Sequence, residues 1–583
     1  MLKSIITTAL RNLIRNRSFS LINIIGLSVS MSLALLVILL IREQYTYDNF
    51  HRDSDRVFRV NTRALRTNGG SEDYASSPAP IGRVIRDDYA FAEEVVRILR
   101  RFNGDVIFQN VNVPVSGMFV DPSFLRVFNF PLEKGNPAKA LSDPDGVVLT
   151  QESAKRIFGD TEPLGKTITV NGYGDFTVTG VLKPFISKTH FEFEMLGSMN
   201  AVAQFEQQGI VPRTLDNWND YYANYVYFKL KPEADLNEVN RALGEIYATY
   251  YKNLALETRD RGYEFFVMSL GAITPGPGMS NQMGTGMPDI LIIFLSVLVG
   301  IVMIMACFNY TNLMIAKSLS RAREIGVRKI VGAQRIQVFI QFMGEAVIFA
   351  VICLGFSYLI LQVLKPAFMQ LGMAREFDAV LEEDIVLYLY FLLFAVLVGV
   401  LAGVLPAGYL SALRPAKVLK DSGNLKVYSR LTFRKALIVT QFTLSIVFII
   451  VVLVIYRQVN YMVTTDYGIN DKNIVNVRLQ GVEFQKLANE LDDVPGVISI
   501  GGVSHRLGTW ADRSSDYRRN REDEAFVMRD FIVDDNYIAN LDIKFLAGRN
   551  FDPAEQGVQE KHVILNEQAL KMFGFTDPAS AVG

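Results

Sequence analysis

Five long apolar segments constrain this 583-residue chain more than any other feature of its sequence. They lie at 19–41, 290–315, 338–364, 385–410 and 436–456. A helix needs about 20 apolar residues to cross the hydrocarbon core of a bilayer, and every segment reaches that length. Half of all residues are hydrophobic (50%) and only 20% are charged. The sequence therefore predicts an α-helical membrane protein with five spans.

The first apolar segment has two readings, because Lys3, Arg11, Arg15 and Arg17 precede it as they would in a signal peptide. Its apolar stretch is too long for the core of a signal peptide, and no small-residue cleavage motif comes before Arg42. We interpret it as an uncleaved signal anchor.

Charges next to the spans predict their orientation, since Lys and Arg concentrate on the cytoplasmic side. The segments 1–18, 316–337 and 411–435 are rich in Lys and Arg, whereas 365–384 is acidic. We expect the three basic segments in the cytoplasm. The segments expected outside are 42–289, 365–384 and 457–583.

The polar segment 42–289 has the pattern of a folded α+β domain. Short β-branched runs at 147–149, 167–170 and 176–181 predict strands, and helical periodicity appears at 151–158 and 236–254. The predicted architecture is thus one span, a large external α+β domain, three spans, a fifth span and a second external segment.

Composition excludes several kinds of function. The net charge is −1, so we expect no nucleic-acid partner. Both cysteines, Cys307 and Cys353, lie within apolar segments, which leaves no disulfide framework and no structural zinc site. The histidines are His51, His190, His505 and His562, and none lies in a recognisable catalytic motif.

An internal repeat links the two external segments. Residues 147–159 share the order strand, polar turn and short helix ending in Phe-Gly with residues 563–574, at an offset of roughly 415 residues. Upstream, 128–135 parallels 543–548. The repeat predicts one complete unit and the beginning of a second. We interpret the chain, which ends at Gly583, as a fragment of a protein with about three further spans; the alternative is a degenerate second unit.

The loop 159–167 resembles a phosphate-binding loop, with glycines at 159 and 165 followed by Lys166 and Thr167. Five residues separate the glycines where that loop requires four, and Pro163 removes a backbone N–H donor. We interpret it as a surface turn.

The basic segment between the second and third spans is amphipathic if helical. Leu319, Gly326 and Ile330 share one face, while Glu324 and Arg328 lie opposite with i,i+4 spacing. One interpretation is a loop resting on anionic lipid. The other is a coupling helix that presents its polar face to a cytoplasmic partner.

Glu345 lies about two turns into the third span, where an unpaired charge is costly. It either reaches the cytoplasmic interface or pairs with Arg328 or Arg335. The polar residues within the spans are expected to form interhelical hydrogen bonds; they are Asn309, Asn312, Gln341 and Gln441.

The run from Arg323 to Ala333, Arg-Glu-Ile-Gly-Val-Arg-Lys-Ile-Val-Gly-Ala, followed by Glu345, resembles the signature of FtsX-like permeases of the MacB type. Residues 413–419 resemble the matching end of that domain, and the order of spans and external domain also fits. The resemblance covers essentially the whole chain.

This resemblance implies a permease subunit that does not hydrolyse ATP, with no cofactor, no metal and no catalytic residue of its own. A separate ABC ATPase dimer would dock on the cytoplasmic helices, and the periplasmic domain would move in response. A periplasmic adaptor or an outer-membrane channel would be further partners, and the bacterial inner membrane the location. The implied ATPase-coupling residues are Arg321, Arg323, Glu324, Gly326, Arg328, Lys329, Gly332, Arg335 and Glu345, with Arg414, Pro415 and Lys417 as a secondary contact.

The function we expect is therefore an ABC transporter permease for export, extraction or efflux of a substrate. The alternative is a membrane-anchored sensor or scaffold whose external domain binds a ligand without transport.

Overall fold

The computed structural model describes residues 17–184, 188–257, 259–372, 383–412, 428–479, 481–509, 513–520, 526–552 and 562–583, with a few single positions besides. Side chains at 316–324 and 428–434 are outside this description. Within the described residues, five helices are long and apolar enough to cross a membrane, as the sequence predicted.

The α-helices of the described residues are α1 Arg17–Gln44, α2 Ala79–Asp88, α3 Phe124–Val127, α4 Gln151–Phe158, α5 Val202–Gln207, α6 Leu236–Tyr250, α7 Asp289–Ile330, α8 Arg335–Met369, α9 Ile385–Ser411, α10 Tyr428–Thr464, α11 Phe484–Asp492, α12 Asp535–Asn540 and α13 Glu567–Met572. The strands are β1 Val57–Arg66, β2 Ser71–Tyr74, β3 Ala92–Leu99, β4 Gly104–Phe108, β5 Val111–Val115, β6 Gly117–Val120, β7 Leu132–Gly135, β8 Gly146–Leu149, β9 Thr167–Val170, β10 Gly174–Leu182, β11 Met195–Ser198, β12 Asn224–Leu230, β13 Asp260–Ser269, β14 Arg513–Tyr517 and β15 Phe526–Asp530. The apolar helices are α1, α7, α8, α9 and α10.

The second and fifth spans belong to helices longer than their apolar segments. Helix α7 continues from Asp289 to Ile330 without a break at the predicted boundary of 315 and 316. The segment 316–337 therefore contains the end of α7, a turn and the start of α8, rather than one separate helix. Helix α10 likewise runs beyond 436–456 at both ends. Polarity changes at these boundaries, but the backbone hydrogen bonding of a helix does not depend on it.

The large domain between α1 and α7, here called the sheet domain, is built on one mixed sheet. Its main strand order is β13-β1-β12-β3-β6-β11-β8-β10-β9-β4-β5, with β2 beside β1 and β7 beside β10. The pairs β8–β10 and β6–β11 are parallel, and the other pairs are antiparallel. The strands and helices predicted for this domain are present, which confirms its α+β class.

Local sequence fixes the ends of α4. The Thr150 side chain accepts a hydrogen bond from the backbone N–H of Ser153, and Gly159 ends the helix at a φ of 59°. The loop from Gly159 that resembles a phosphate site thus follows a helix and leads into β9, unlike a phosphate loop, which follows a strand.

The second copy of the repeat reproduces the helix but not the strand. The Asn566 side chain caps α13 as Thr150 caps α4. The expected strand at 563–565 does not form: Val563 is 67% exposed, whereas Val147 in the first copy is 0% exposed. Strand β8 is held between β10 and β11, and no described strand lies beside 563–565. A short apolar run becomes a strand only when neighbours satisfy its backbone.

Helices α1, α7, α8 and α9 pack into one bundle, while α10 contacts α7 and is otherwise exposed along its apolar stretch. The closest approach is between α8 and α9. A Cβ added at Gly399 would lie 2.6 Å from the Cα of Val347, and one at Gly403 would lie 2.6 Å from the Cβ of Ala346. Small residues allow such backbone contact in membrane helices.

We predict that Gly399→Ala lowers the thermal stability of the full chain in detergent, by on the order of 1–3 kcal/mol, because the new methyl group overlaps the α8 backbone. Gly408→Ala on the same helix is the matched control, since nothing lies within 4 Å of its Cβ position. The control should be neutral or stabilising, because Ala favours helix over Gly. Size-exclusion profiles after heating measure both; equal midpoints would contradict the packing described.

Candidate functional site

The turn between α7 and α8 depends on one glycine. Gly332 has a φ of 105°, a left-handed conformation that side chains other than glycine rarely adopt. The backbone N–H groups of Gly332 and Ala333 donate to the carbonyls of Lys329 and Arg328 at 3.2 and 3.0 Å. Val331, beside the glycine, is 82% exposed. The turn therefore exposes an apolar side chain on a hydrogen-bonded backbone.

Two cations from this turn hold the end of α9. The Nζ of Lys329 donates to the carbonyl oxygen of Ser411 at 2.7 Å, and the Nε of Arg335 donates to the same oxygen at 3.2 Å. The last carbonyls of a helix have no partner within the helix and carry partial negative charge. The two side chains thus satisfy the end of α9 and join it to the ends of α7 and α8. We call this meeting of three helix ends the junction.

Apolar side chains fill the space between the three helices. Ile325 of α7, Val338 and Phe342 of α8, and Ala407 and Leu410 of α9 form one buried cluster. Because interiors are close-packed, a displacement of one helix end cannot be absorbed without displacing the others. The three helix ends therefore share one packed core.

A polar relay connects the junction with the interior of α8. The Nη1 of Arg328 donates to the Oε1 of Gln341 at 2.7 Å, and the Nε2 of Gln341 donates to Glu345 at 3.4 Å. Glu345 is only 7% exposed. Of the two arrangements open from sequence, the structure shows a link to Arg328 through an intervening amide, while Arg335 bonds to Ser411.

Burial lowers the pKa of Lys329, and the neighbouring charge of Arg335 lowers it further. Two cations converging on one carbonyl repel each other, and the helix end offsets that repulsion. The charge on Lys329 is therefore easier to remove than that of a lysine in water.

Several of the residues predicted from sequence meet at the junction, and others lie outside the described part. Gly326 is buried in α7, and Arg328, Lys329, Gly332, Arg335 and Glu345 take the places given above. The side chains of Arg321, Arg323 and Glu324, and all of Arg414, Pro415 and Lys417, are outside the described residues.

Gln341 was expected to bond between helices, and its bond to Arg328 confirms this. Ser411 was missed, because its backbone oxygen carries the contact and a side-chain pattern does not reveal it. The end of a helix shortly before Pro415 was the available signal.

Within the described residues, no group of three His, Cys, Asp or Glu side chains could hold a metal ion. One cleft of about 460 Å³ lies at the β1–β2 hairpin of the sheet domain, lined by Arg66, Glu72 and Arg259 among others. Both arginines are already engaged: Arg66 pairs with Glu72 and Asp260, and Arg259 with Glu257. The arrangement gives the cleft no free reactive group among these charged side chains.

Fold and junction together define a class: a multi-span membrane protein whose large α+β domain is inserted between its first two spans. Residues 20–246 match the MacB-like periplasmic core domain, and residues 291–415 match the FtsX-like permease C-terminal domain. The chain belongs to the FtsX/MacB-type permeases of ABC transporters.

Curated relatives are distant. The macrolide export ATP-binding/permease protein MacB of Bdellovibrio bacteriovorus is 24% identical over 51% of this chain and 41% of its own length. The corresponding protein of Neisseria gonorrhoeae is 24% identical over 43% of this chain and 35% of its length. The ABC transporter permease YknZ of Bacillus subtilis is 23% identical over 52% of this chain and 68% of its length. The chain thus spans about two fifths or less of these two MacB proteins.

Two solved structures align with part of the chain at low scores. The periplasmic region of MacB from Actinobacillus actinomycetemcomitans gives a TM-score of 0.27 at 14% identity, covering 38% of this chain and 91% of that structure. The extracellular domain of YknZ gives 0.25 at 14% identity, covering 36% of this chain and 99% of that structure.

We predict that Gln341→Leu destabilises the full chain by on the order of 1–3 kcal/mol, because it removes the amide that bridges Arg328 and Glu345 within the bundle. Gln458→Leu, at an exposed position of α10, is the control and should change stability little. Thermal midpoints in detergent compare the two. A Gln341→Leu midpoint equal to that of the control would show that the relay contributes nothing.

Proposed function

We propose that this chain is the membrane permease of an ABC machine, coupling ATP hydrolysis by a separate cytoplasmic ATPase dimer to movement of the sheet domain for export, extraction or efflux of a substrate. The observation that carries the proposal is the junction. It offers an exposed, hydrogen-bonded turn at Val331, and behind that turn three helix ends contribute to one packed cluster.

The physical argument is that a force applied to the turn is passed on to three helices. A partner that pushes on Val331 acts on α7 and α8 together, because Gly332 joins them in a hydrogen-bonded turn. Through Ser411 the same push reaches α9. Helix α7 runs unbroken from the junction to Asp289 at the base of the sheet domain, so displacement of its end travels its whole length.

Basic residues next to the spans support the orientation. The basic segments 1–18, 316–337 and 411–435 are assigned to the cytoplasm. In that orientation the junction faces the cytoplasm, where the ATPase would bind, and the sheet domain lies outside. Arg414, Pro415 and Lys417, which follow α9 in the sequence, stay a proposed secondary contact for the ATPase.

The orientation predicts opposite labelling of two engineered cysteines. In intact cells an impermeant maleimide should label Ser71→Cys in the β1–β2 hairpin and leave Val331→Cys unlabelled until the membrane is opened. Native Cys307 and Cys353 are buried, so their background is low. Labelling of Val331→Cys in intact cells would contradict the orientation.

A photo-crosslinking amino acid at position 331 tests the docking in cells that produce the native chain. We expect a crosslinked product containing an ABC-type ATPase, identified by mass spectrometry, because the side chain at 331 lies at the exposed tip of the turn. The control is the same amino acid at Val463, which is 78% exposed near the C-terminal end of α10. That end leads into the segment expected outside the cell, so position 463 should give no ATPase product.

The sensor or scaffold alternative predicts only lipid around the turn. An efficient crosslinker at 331 that yields lipid adducts and no ATPase would favour it.

Arg328→Glu should reduce the ATPase product at least about tenfold, because the charged face of α7 is proposed to contribute to docking. Lys435→Glu, an exposed basic residue at the start of the fifth apolar segment, provides the matched charge reversal.

A further inference from the structure

A positively charged side chain is buried inside the sheet domain. Arg59 of β1 is 0% exposed, and a guanidinium does not lose its proton in proteins. Its Nε donates to the Oδ1 of Asn61 at 2.7 Å, and its Nη2 has only the thioether sulfurs of Met268 and Met279 at 3.9 and 3.8 Å. Its Nη1 has no hydrogen-bond partner among the described residues. Burying such a charge is costly unless an opposite charge compensates it.

A row of buried polar side chains leads from Arg59 to a carboxylate. Arg59 lies opposite Tyr227 across the β1–β12 pair, so the two side chains stand on the same face of the sheet, and the positive charge of Arg59 acts on the buried Tyr227 hydroxyl group. That hydroxyl lies 2.9 Å from the Nε2 of His190, and the Nδ1 of His190 lies 2.8 Å from the Oδ2 of Asp48. His190 is 1% exposed and Asp48 is 2% exposed. Four buried side chains thus connect a cation to an anion.

The chemistry of the groups gives the path one direction. A guanidinium only donates and a carboxylate only accepts. Nδ1–H of His190 therefore donates to Asp48, and Nε2 of the neutral ring accepts from the Tyr227 O–H. His190 is neutral in this arrangement, in agreement with burial, which lowers its pKa. Positive charge stays in the sheet and negative charge stays on Asp48.

Asp48 does not belong to the sheet. It lies in the segment 45–51 that follows α1, here called the stalk, in a left-handed conformation with a φ of 59°. Burial raises the pKa of Asp48, but His190 and His51 lower it more, so the net shift is downward. Its Oδ1 also accepts from the hydroxyl of Thr189 at 2.6 Å. The stalk therefore carries an ionised side chain into the body of the domain.

Neighbouring contacts hold the stalk at the same place. The backbone N–H of Asp48 donates to the carbonyl of Lys188 at 2.9 Å, and the Nζ of Lys188 pairs with Glu43 at the end of α1 at 2.7 Å. His51 lies 3.1 Å from Asp48 and also contacts the carbonyl of Phe128. The stalk is thus bonded to two separate loops of the sheet domain.

We propose that Asp48, His190, Tyr227 and Arg59 form a charged latch, and that these positioning residues fix the stalk in the sheet domain so that α1 and the domain move as one rigid body. The latch deepens the proposed function by assigning where motion of a span becomes motion of the domain. The latch itself is a property of this chain and requires no ATPase.

The test is a double-mutant cycle measured by hydrogen–deuterium exchange on the full chain in nanodiscs. Asp48→Asn and Arg59→Met should each raise exchange in residues 45–51 and 188–191 by at least about tenfold, because each leaves a buried charge uncompensated. The double variant should lie within about threefold of the native chain, because Met at 59 suits the surrounding thioethers and neither member of the Asp48–Arg59 charge pair remains. The latch is overturned if the exchange factors of the two single variants multiply in the double variant. It is also overturned if neither single variant changes exchange in these segments.

Two further variants keep the test decisive. Tyr227→Phe retains the ring and removes only the hydroxyl group, and it should raise exchange in the same two segments by a smaller factor. Arg63→Met, on the same strand, removes an exposed pair with Asp73 and should change neither segment. If a single variant fails to fold, the result for Tyr227→Phe decides: no change in exchange overturns the latch.

Acid should weaken the latch. His190 is buried and neutral, its pKa is lowered by burial, and it is faced by Asp48, His51, Arg59 and Tyr227. Its contribution to the stability of the latch is therefore complete above about pH 6.5 and declines as the pH falls below that value. Asp48 contributes in the same direction at still lower pH. After correction for intrinsic exchange, the native chain should lose stalk protection between pH 7.5 and 5.5, and His190→Gln should lose this step. A step that persists in His190→Gln overturns the relay.

The two proposals fail separately. Absence of an ATPase crosslink at position 331 would remove the proposed function and leave the exchange results standing. An additive exchange cycle in a chain that does crosslink its ATPase would remove the latch alone.

Discussion

A single hydrogen bond joins the points where the chain leaves and re-enters the apolar bundle. The side-chain oxygen of Gln44, at the end of α1, accepts from the backbone N–H of Met287, just before α7, at 2.8 Å. Both groups are buried, so neither could exchange this partner for water without cost. The bond closes the sheet domain at its base and holds the first two spans together.

From that closure the structure extends in two directions. Towards the sheet domain, the stalk carries Asp48 into a core that already contains the charge of Arg59. Towards the other end of α7, the junction ties three helix ends to one carbonyl oxygen. Helix α7 begins directly after the Met287 closure and ends in the junction, so it has little freedom to slide independently, because movement at either end would separate buried or half-buried polar partners.

Sequence patterns were most successful where the deciding interactions are local. Span number, the α+β class of the domain, the bounds of α4 and β9 and the interhelical role of Gln341 could all be predicted. Each depends on hydrophobic length, period or a capping side chain. The strand expected at 563–565 was wrong for the opposite reason: its sequence repeats that of β8, but a strand requires neighbours that sequence identity does not supply. The latch was missed altogether, since Asp48, Arg59, His190 and Tyr227 are far apart along the chain.

The sequence by itself determined that this is a membrane protein with five apolar helices and, through the run from Arg323 to Ala333, its family. Those conclusions follow from composition and spacing, which exist before folding. Only the tertiary structure decided that α7 passes unbroken into the basic segment, that Ser411 binds Lys329 and Arg335, and that a buried arginine faces a stalk carboxylate through two intervening rings. These are long-range pairings, and their energies arise from burial, which removes water as the competing partner.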